Sequence, residues 1–248
     1  MADSIPIPLA AIAEPKTQSR HALVVRITHW ISAACFLVLL VTGVEIVISH
    51  PRFYWGETGN ALTPALFQIP IPASRSAVKT GYNYVLPDQN GWSRNLHFQT
   101  AWIVLFAGLL YVAWGFASGH FAQNLLPRAA DCSPSRIRDE LANHLRPQRL
   151  SGEAAAYNLL QRISYLGVVF VAFPLMIWTG LAMSPGFVSA FPFSVEVFGG
   201  QQSARTIHFF GTLLLVVFAV IHVAMVCLTG FKRRMNAMIT GGASQEQL

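Results

Sequence analysis

Charge is what this sequence has least of. Only 11% of its 248 residues are charged and 53% are hydrophobic, whereas a soluble domain carries roughly 25% charged residues. So little charge points to a surrounding medium that does not hydrate ions, the lipid bilayer. The net charge is +6. However, Arg and Lys lie between and beside apolar runs instead of forming a patch, which argues against nucleic acid as a partner. Cysteine is scarce as well. Cys35, Cys132 and Cys227 form no CxxC, which argues against a zinc or iron–sulfur site within the chain. The absence of CxxCH argues against covalent c-type haem. The first 20 residues lack the apolar stretch of a signal peptide and carry Pro6, Pro8 and Pro15, so a disordered tail is expected there.

Long apolar runs are what is present. A spanning helix needs about 20 mostly apolar residues, and four stretches qualify: Val24 to Ser49, Leu96 to Ser118, Leu159 to Met183 and Thr206 to Gly230. Small residues and glycines recur within them, as in membrane helices that pack closely. The expected fold class is all-α, an integral membrane four-helix bundle. It would comprise a tail over 1–22, the bundle over 23–230 with loops at 50–95 and 119–158, and a second tail over 231–248.

Orientation follows from the loop cations. Lys16, Arg20 and Arg26 share one side with Arg128, Arg136, Arg138, Arg146 and Arg149, and with Lys232, Arg233 and Arg234. That side is expected to be the cytoplasm, with both termini in it and the long loop 50–95 outside. Ser133 to Arg149 has Pro134 at a first helical position, with Ile137, Leu141 and Leu145 four apart among arginines. Either an amphipathic helix on the inner leaflet or a plain soluble linker helix fits that pattern.

Eight histidines are present, and ionisable groups inside a span are costly enough to signal function. His208 and His222 are 14 positions apart on the fourth span. Fourteen steps of about 100° bring both to one face, separated by a rise of about 21 Å. Neutral imidazole is a good axial ligand for haem iron, and each such histidine then needs a partner on another helix. Depth selects the partners. His29 lies roughly 7 Å into the first span and His222 roughly 12 Å from the end of the fourth. His97 and His208 both stand at span starts on the other side. The expected metal ligands are therefore His29 with His222 toward the cytoplasm and His97 with His208 toward the exterior, holding two non-covalent b haems between helices. Crossed pairs would have to bridge about 20 Å of depth, which two Fe–N bonds cannot do.

Other residues are candidates around the haems. Gly43 and Gly108 lie nearly on the faces of His29 and His97, respectively. They either clear room for a porphyrin or serve ordinary close packing. Arg26, Arg94 and Arg205 each precede an expected ligand by three residues and are expected partners for haem propionates, or else the positive rim of a span. Glu45 is either an interfacial carboxylate or a proton-handling group. His50 could compete with His97, while His21, His120 and His144 are expected to be interfacial.

At these residues the sequence resembles the bacterial four-helix di-haem cytochrome b family, which includes the cytochrome b subunits of nickel–iron hydrogenases, formate dehydrogenases and thiosulfate reductases. Val25-Arg26-Ile27-Thr28-His29-Trp30 is similar to the family's first helix, and His208 and His222 have its fourth-helix spacing. Pro51-Arg52-Phe53-Tyr54-Trp55-Gly56-Glu57 resembles the thiosulfate-reductase-type branch. The resemblance implies quinone exchange near one haem, though no residue pattern marks a quinone site. It also implies a periplasmic redox partner, for this branch a molybdopterin oxidoreductase of sulfite-oxidase type. The aromatics of loop 50–95 suit docking on the outer face, or else a place in the headgroup belt. The expected function is thus a di-haem electron-transfer subunit in the bacterial inner membrane. Two alternatives stand beside it: a stand-alone haem oxidoreductase acting on quinone or superoxide, and a haem-free transporter relaying protons through its histidines.

Overall fold

Four long helices carry the chain back and forth. The computed structural model describes residues 21–60, 62–71, 77–79, 85–87, 91–127, 133, 135, 138 and 159–242. Helix α1 runs Leu23–Ser49 and ends at a hairpin of β1 (Arg52–Phe53) and β2 (Phe67–Gln68). A second hairpin pairs β3 (Ala77–Lys79) with β4 (Val85–Pro87). Helix α2 (Gly91–Ala117) returns and closes on a π turn at Phe121–Leu125. The third span is α3 (Leu159–Gly167), a π turn (Val168–Ala172) and α4 (Phe173–Ala182). Short helices α5 (Pro185–Ala190) and α6 (Phe193–Glu196) lead into α7 (Gln201–Leu228), and α8 (Phe231–Ile239) follows. Among the described residues, four helices are long and apolar enough to cross a membrane, and the fold is the expected all-α membrane bundle.

Small side chains form the seams. On α1 the buried residues are Thr28, Cys35, Thr42 and Ser49, seven apart throughout. On α2, which packs against α1, they are Ser93, Thr100, Ala107 and Gly115. A period of seven keeps one stripe turned to the neighbouring helix, and small residues let two backbones approach where lipid gives no hydrophobic drive. The hydroxyls are satisfied within their own helix: Thr28 Oγ1 donates to Val24 O at 2.8 Å and Thr42 Oγ1 to Val38 O at 2.7 Å. Large apolar side chains such as Leu37, Phe106, Leu214 and Val220 point outward, toward lipid.

Two of the helices begin earlier than the apolar runs suggest. α2 starts at Gly91 instead of Leu96, and α7 at Gln201 instead of Thr206. The added turns, Gly91 to Asn95 and Gln201 to Arg205, are too polar for a hydropathy window. They are helical nonetheless, because an interfacial turn keeps its backbone bonds while its side chains reach water. His97 and His208 therefore lie almost two turns inside their helices and not at the starts. The third span also departs from a plain helix. Phe173 N–H donates five residues back to Val168 O, a π turn just ahead of Pro174, whose ring nitrogen has no proton to give.

The ends of the bundle are tied. Arg26 Nη2 donates to Ile239 O at 2.8 Å and Trp30 Nε1 to Met238 O at 3.2 Å, so α8 lies against the start of α1. At the opposite, distal end the β1 hairpin covers the start of α7. Phe53, 1% exposed, stacks on Phe67 at 4.6 Å and meets Phe209 at 4.5 Å. The tail 1–20 and nearly all of the proposed surface helix 133–149 lie outside the described residues.

Candidate functional site

Two pairs of imidazoles face each other across the bundle. His29 on α1 and His222 on α7 have ring centroids 6.2 Å apart with planes at 53°. His97 on α2 and His208 on α7 have centroids 6.3 Å apart with planes at 60°. The first pair lies toward the end where α8 meets α1 and is called proximal here. The second lies toward the β1 hairpin and is called distal. Since α7 contributes to both, 14 positions apart, the pairs are stacked about 21 Å along one helix.

The spacing has a chemical meaning. An iron with an imidazole on each side needs two Fe–N bonds of about 2 Å, plus about 1.1 Å from each nitrogen to its ring centre, so the centroids fall about 6.3 Å apart. Both pairs match that distance, while a direct N–H···N bond would draw the rings closer. Among the described residues no group of three or more His, Cys, Asp or Glu could hold a bare metal ion. Each pair offers two donors, which suits a porphyrin that supplies the other four.

The two pairs are held differently. His97 Nδ1 lies 2.9 Å from Thr42 Oγ1, and His208 Nδ1 lies 2.8 Å from Thr179 Oγ1. In the proximal pair, His29 Nδ1 is buried with no hydrogen-bond partner. Aromatic rings surround this pair: Trp30 edge-on to His29 at 5.2 Å, Phe218 stacked on His222 at 5.8 Å, and Tyr165 edge-on to His222 at 6.3 Å.

The remaining candidates divide. Gly43 faces the distal pair, where an added Cβ would sit 3.6 Å from His97 Cε1. Gly180 stands in the same relation to His208, also at 3.6 Å. At Gly108 an added Cβ would meet nothing within 4 Å. Arg94 is exposed on the first turn of α2. Arg26 reaches the end of α8. Arg205 donates to Arg52 O at 3.1 Å and to His50 O, and its guanidinium lies 4.8 Å over the Phe53 ring. Its visible task is to fasten the β1 hairpin. His50 is exposed at the end of α1 and Glu45 is half-buried one turn earlier. His120 sits among Tyr111, Trp114 and Phe121 with Asn124 Nδ2 3.1 Å from its Nδ1, and burial lowers its pKa.

Threonines 42 and 179 escape a search for titratable groups, because a threonine in an apolar run looks like filler. The signal is a repeated dipeptide: Thr42-Gly43 and Thr179-Gly180 each flank one distal histidine. Residues 20–241 match the prokaryotic cytochrome b561 family. The chain belongs to that family. Among its relatives, a putative protein-methionine-sulfoxide reductase subunit, YedZ1, of Azospira oryzae is 28% identical over 226 residues, 89% of this chain and 96% of that one. A probable Ni/Fe-hydrogenase B-type cytochrome subunit of Cupriavidus necator is 26% identical over 212 residues, 80% of this chain and 74% of that one. A like-named subunit of Azotobacter chroococcum is 24% identical over 207 residues, 80% and 75% respectively. The cytochrome b561 chain is thus a multi-pass membrane haem b protein of electron transport, which decides against the haem-free transporter.

Proposed function

We propose that this cytochrome b561 chain binds two b haems, one between His29 and His222 and one between His97 and His208, and carries electrons between a membrane quinone and a redox subunit docked on the distal face. The observation that carries the reading is the pair of imidazole separations, 6.2 and 6.3 Å, on one shared helix. When bound, haem supplies reversible one-electron chemistry. The chain's part is to fix two imidazoles per site, shield them in apolar helix faces and stack the two sites through the bilayer.

The Arg- and Lys-rich segments support a cytoplasmic placement for both termini and the proximal pair, which makes the distal face periplasmic. That face exposes Trp55, Leu62, Leu66 and Trp92, the apolar and aromatic content that partner surfaces favour. The relatives are named as subunits of a reductase and of hydrogenases, which supports a partner here as well. A molybdopterin oxidoreductase is the specific partner the Tyr54 to Glu57 resemblance implies. The quinone belongs at the proximal pair. At that end of the bundle a cleft of about 290 Å³ between α1 and α8 is lined by Leu23, Ile27, Trp30, Ile31, Met238 and Ile239, with Arg26 at its side.

Acid–acetone extraction followed by a pyridine haemochrome assay tests the haem reading, with two haems per chain expected. A ratio near zero defeats the reading, and a ratio near one defeats the pairing.

A further inference from the structure

We propose that Thr42 and Thr179 are positioning residues that set the reduction potential of the distal haem, an inference that rests on the two-haem reading above. Each threonine hydroxyl has one proton and two lone pairs. Thr42 Oγ1 stands 2.7 Å from Val38 O, four residues back, and Thr179 Oγ1 stands 2.7 Å from Leu175 O, also four back. Those carbonyls take the hydroxyl protons. The oxygens are left as acceptors, so the short contacts to His97 Nδ1 and His208 Nδ1 are N–H···O bonds donated by the imidazoles.

Three consequences follow from that proton count. Both distal rings carry their proton on Nδ1, which leaves the Nε2 lone pair for iron. Each ring is fixed by a β-branched side chain with few rotamers to explore, itself 1% exposed for Thr42 and fully buried for Thr179. Donation from Nδ1 also raises the basicity of Nε2, and a more basic ligand favours the ferric over the ferrous ion. The arrangement occurs twice, from α1 onto α2 and from α4 onto α7. The proximal pair is held otherwise, with His29 Nδ1 unpartnered and aromatic rings against both imidazoles. One chain thereby treats two chemically identical cofactors differently.

The test uses the full chain in native membranes, with potentiometric titration of the two α-band components and low-spin ferric electron paramagnetic resonance. Wild type must first show two components. A single one would defeat the two-haem reading before any variant is made. In Thr42→Val and Thr179→Val the ferric preference of the distal haem is expected to fall about tenfold, an upward move of about 59 mV for one electron, with the proximal midpoint unmoved. Thr42→Ser and Thr179→Ser keep the hydroxyl and are expected to keep the wild-type midpoint and ferric spectrum. Valine variants with both midpoints unchanged would overturn the proposal. If the valine variants lose the distal haem altogether, the serine variants decide. A distal haem retained at the wild-type midpoint supports the hydroxyl's role, and one lost or shifted overturns it.

Discussion

Replacing Gly200 by alanine should loosen the distal haem before anything else in the protein. Gly200 precedes α7 with φ +125° and ψ 166°, a conformation held almost only by glycine and costing other residues about 1–3 kcal/mol. A Cβ there would also fall 2.4 Å from the backbone of Gly56 and Glu57. Those two residues close the helix start, which has no side-chain cap of its own. Gly56 O accepts from Gln202 N at 3.0 Å and Ser203 N at 3.2 Å, Glu57 Oε2 accepts from Gln201 N at 3.2 Å, and Gly56 N donates to Ser203 Oγ at 2.7 Å. Pushing the loop away forfeits bonds worth about 1 kcal/mol each. Strain and the four lost bonds together come to about 5–7 kcal/mol. Gly199 supplies the control: its φ is also positive, at +73°, but an added Cβ meets nothing within 4 Å, so Gly199→Ala carries the strain alone, about 1–2 kcal/mol. Heating the purified variants in detergent while following both α-band components should show the distal one bleaching at the lowest temperature in Gly200→Ala. Equal bleaching temperatures for Gly199→Ala and Gly200→Ala would refute the capping argument.

Other expectations follow from the same geometry. His29→Ala and His222→Ala should each remove one and the same spectral component, and His97→Ala and His208→Ala the other; a variant that removes the opposite component breaks the pairing. A reporter fused after Leu248 that works only in an oxidising exterior should stay inactive, and activity would invert the proposed orientation. Trp55→Ala and Leu62→Asp, both at exposed distal positions, should release the redox partner during purification with both haem components intact. Retention of the partner in both would move docking to another surface.

The spans and the meeting of the imidazoles were legible because both depend on quantities that a sequence displays directly. Hydropathy marks which residues tolerate lipid, and position along each run gives depth, which brings His29 to His222 and His97 to His208. What hydropathy cannot weigh is a polar turn that stays helical, so Gly91 to Asn95 and Gln201 to Arg205 were missed. Nor does a residue type reveal where its lone pairs point, and Thr42 and Thr179 were passed over for that reason. The segment from Pro51 to Glu57 was legible as special, but its local role was not. Its carbonyls and carboxylate close the start of α7 through contacts about 150 positions distant in sequence, such as the 2.8 Å bond from Thr206 Oγ1 to Tyr54 O. Arg205 likewise turned out to fasten that segment.

Because α7 supplies one imidazole to each pair, neither site can exist while the polypeptide is still being made. Until the fourth span leaves the ribosome, His29 and His97 sit in the bilayer as single donors, too few to hold a porphyrin from both sides. On the proposed reading, the distal site becomes complete with His208 and the proximal one only with His222, both near the close of synthesis. The bonds from Arg26 and Trp30 to the carbonyls of α8 form later still, so the first helix is latched to the last only once the whole chain has emerged. A chain cut short between Ala182 and His208 would keep its first three spans and, on the proposed reading, would lack the second imidazole of both sites.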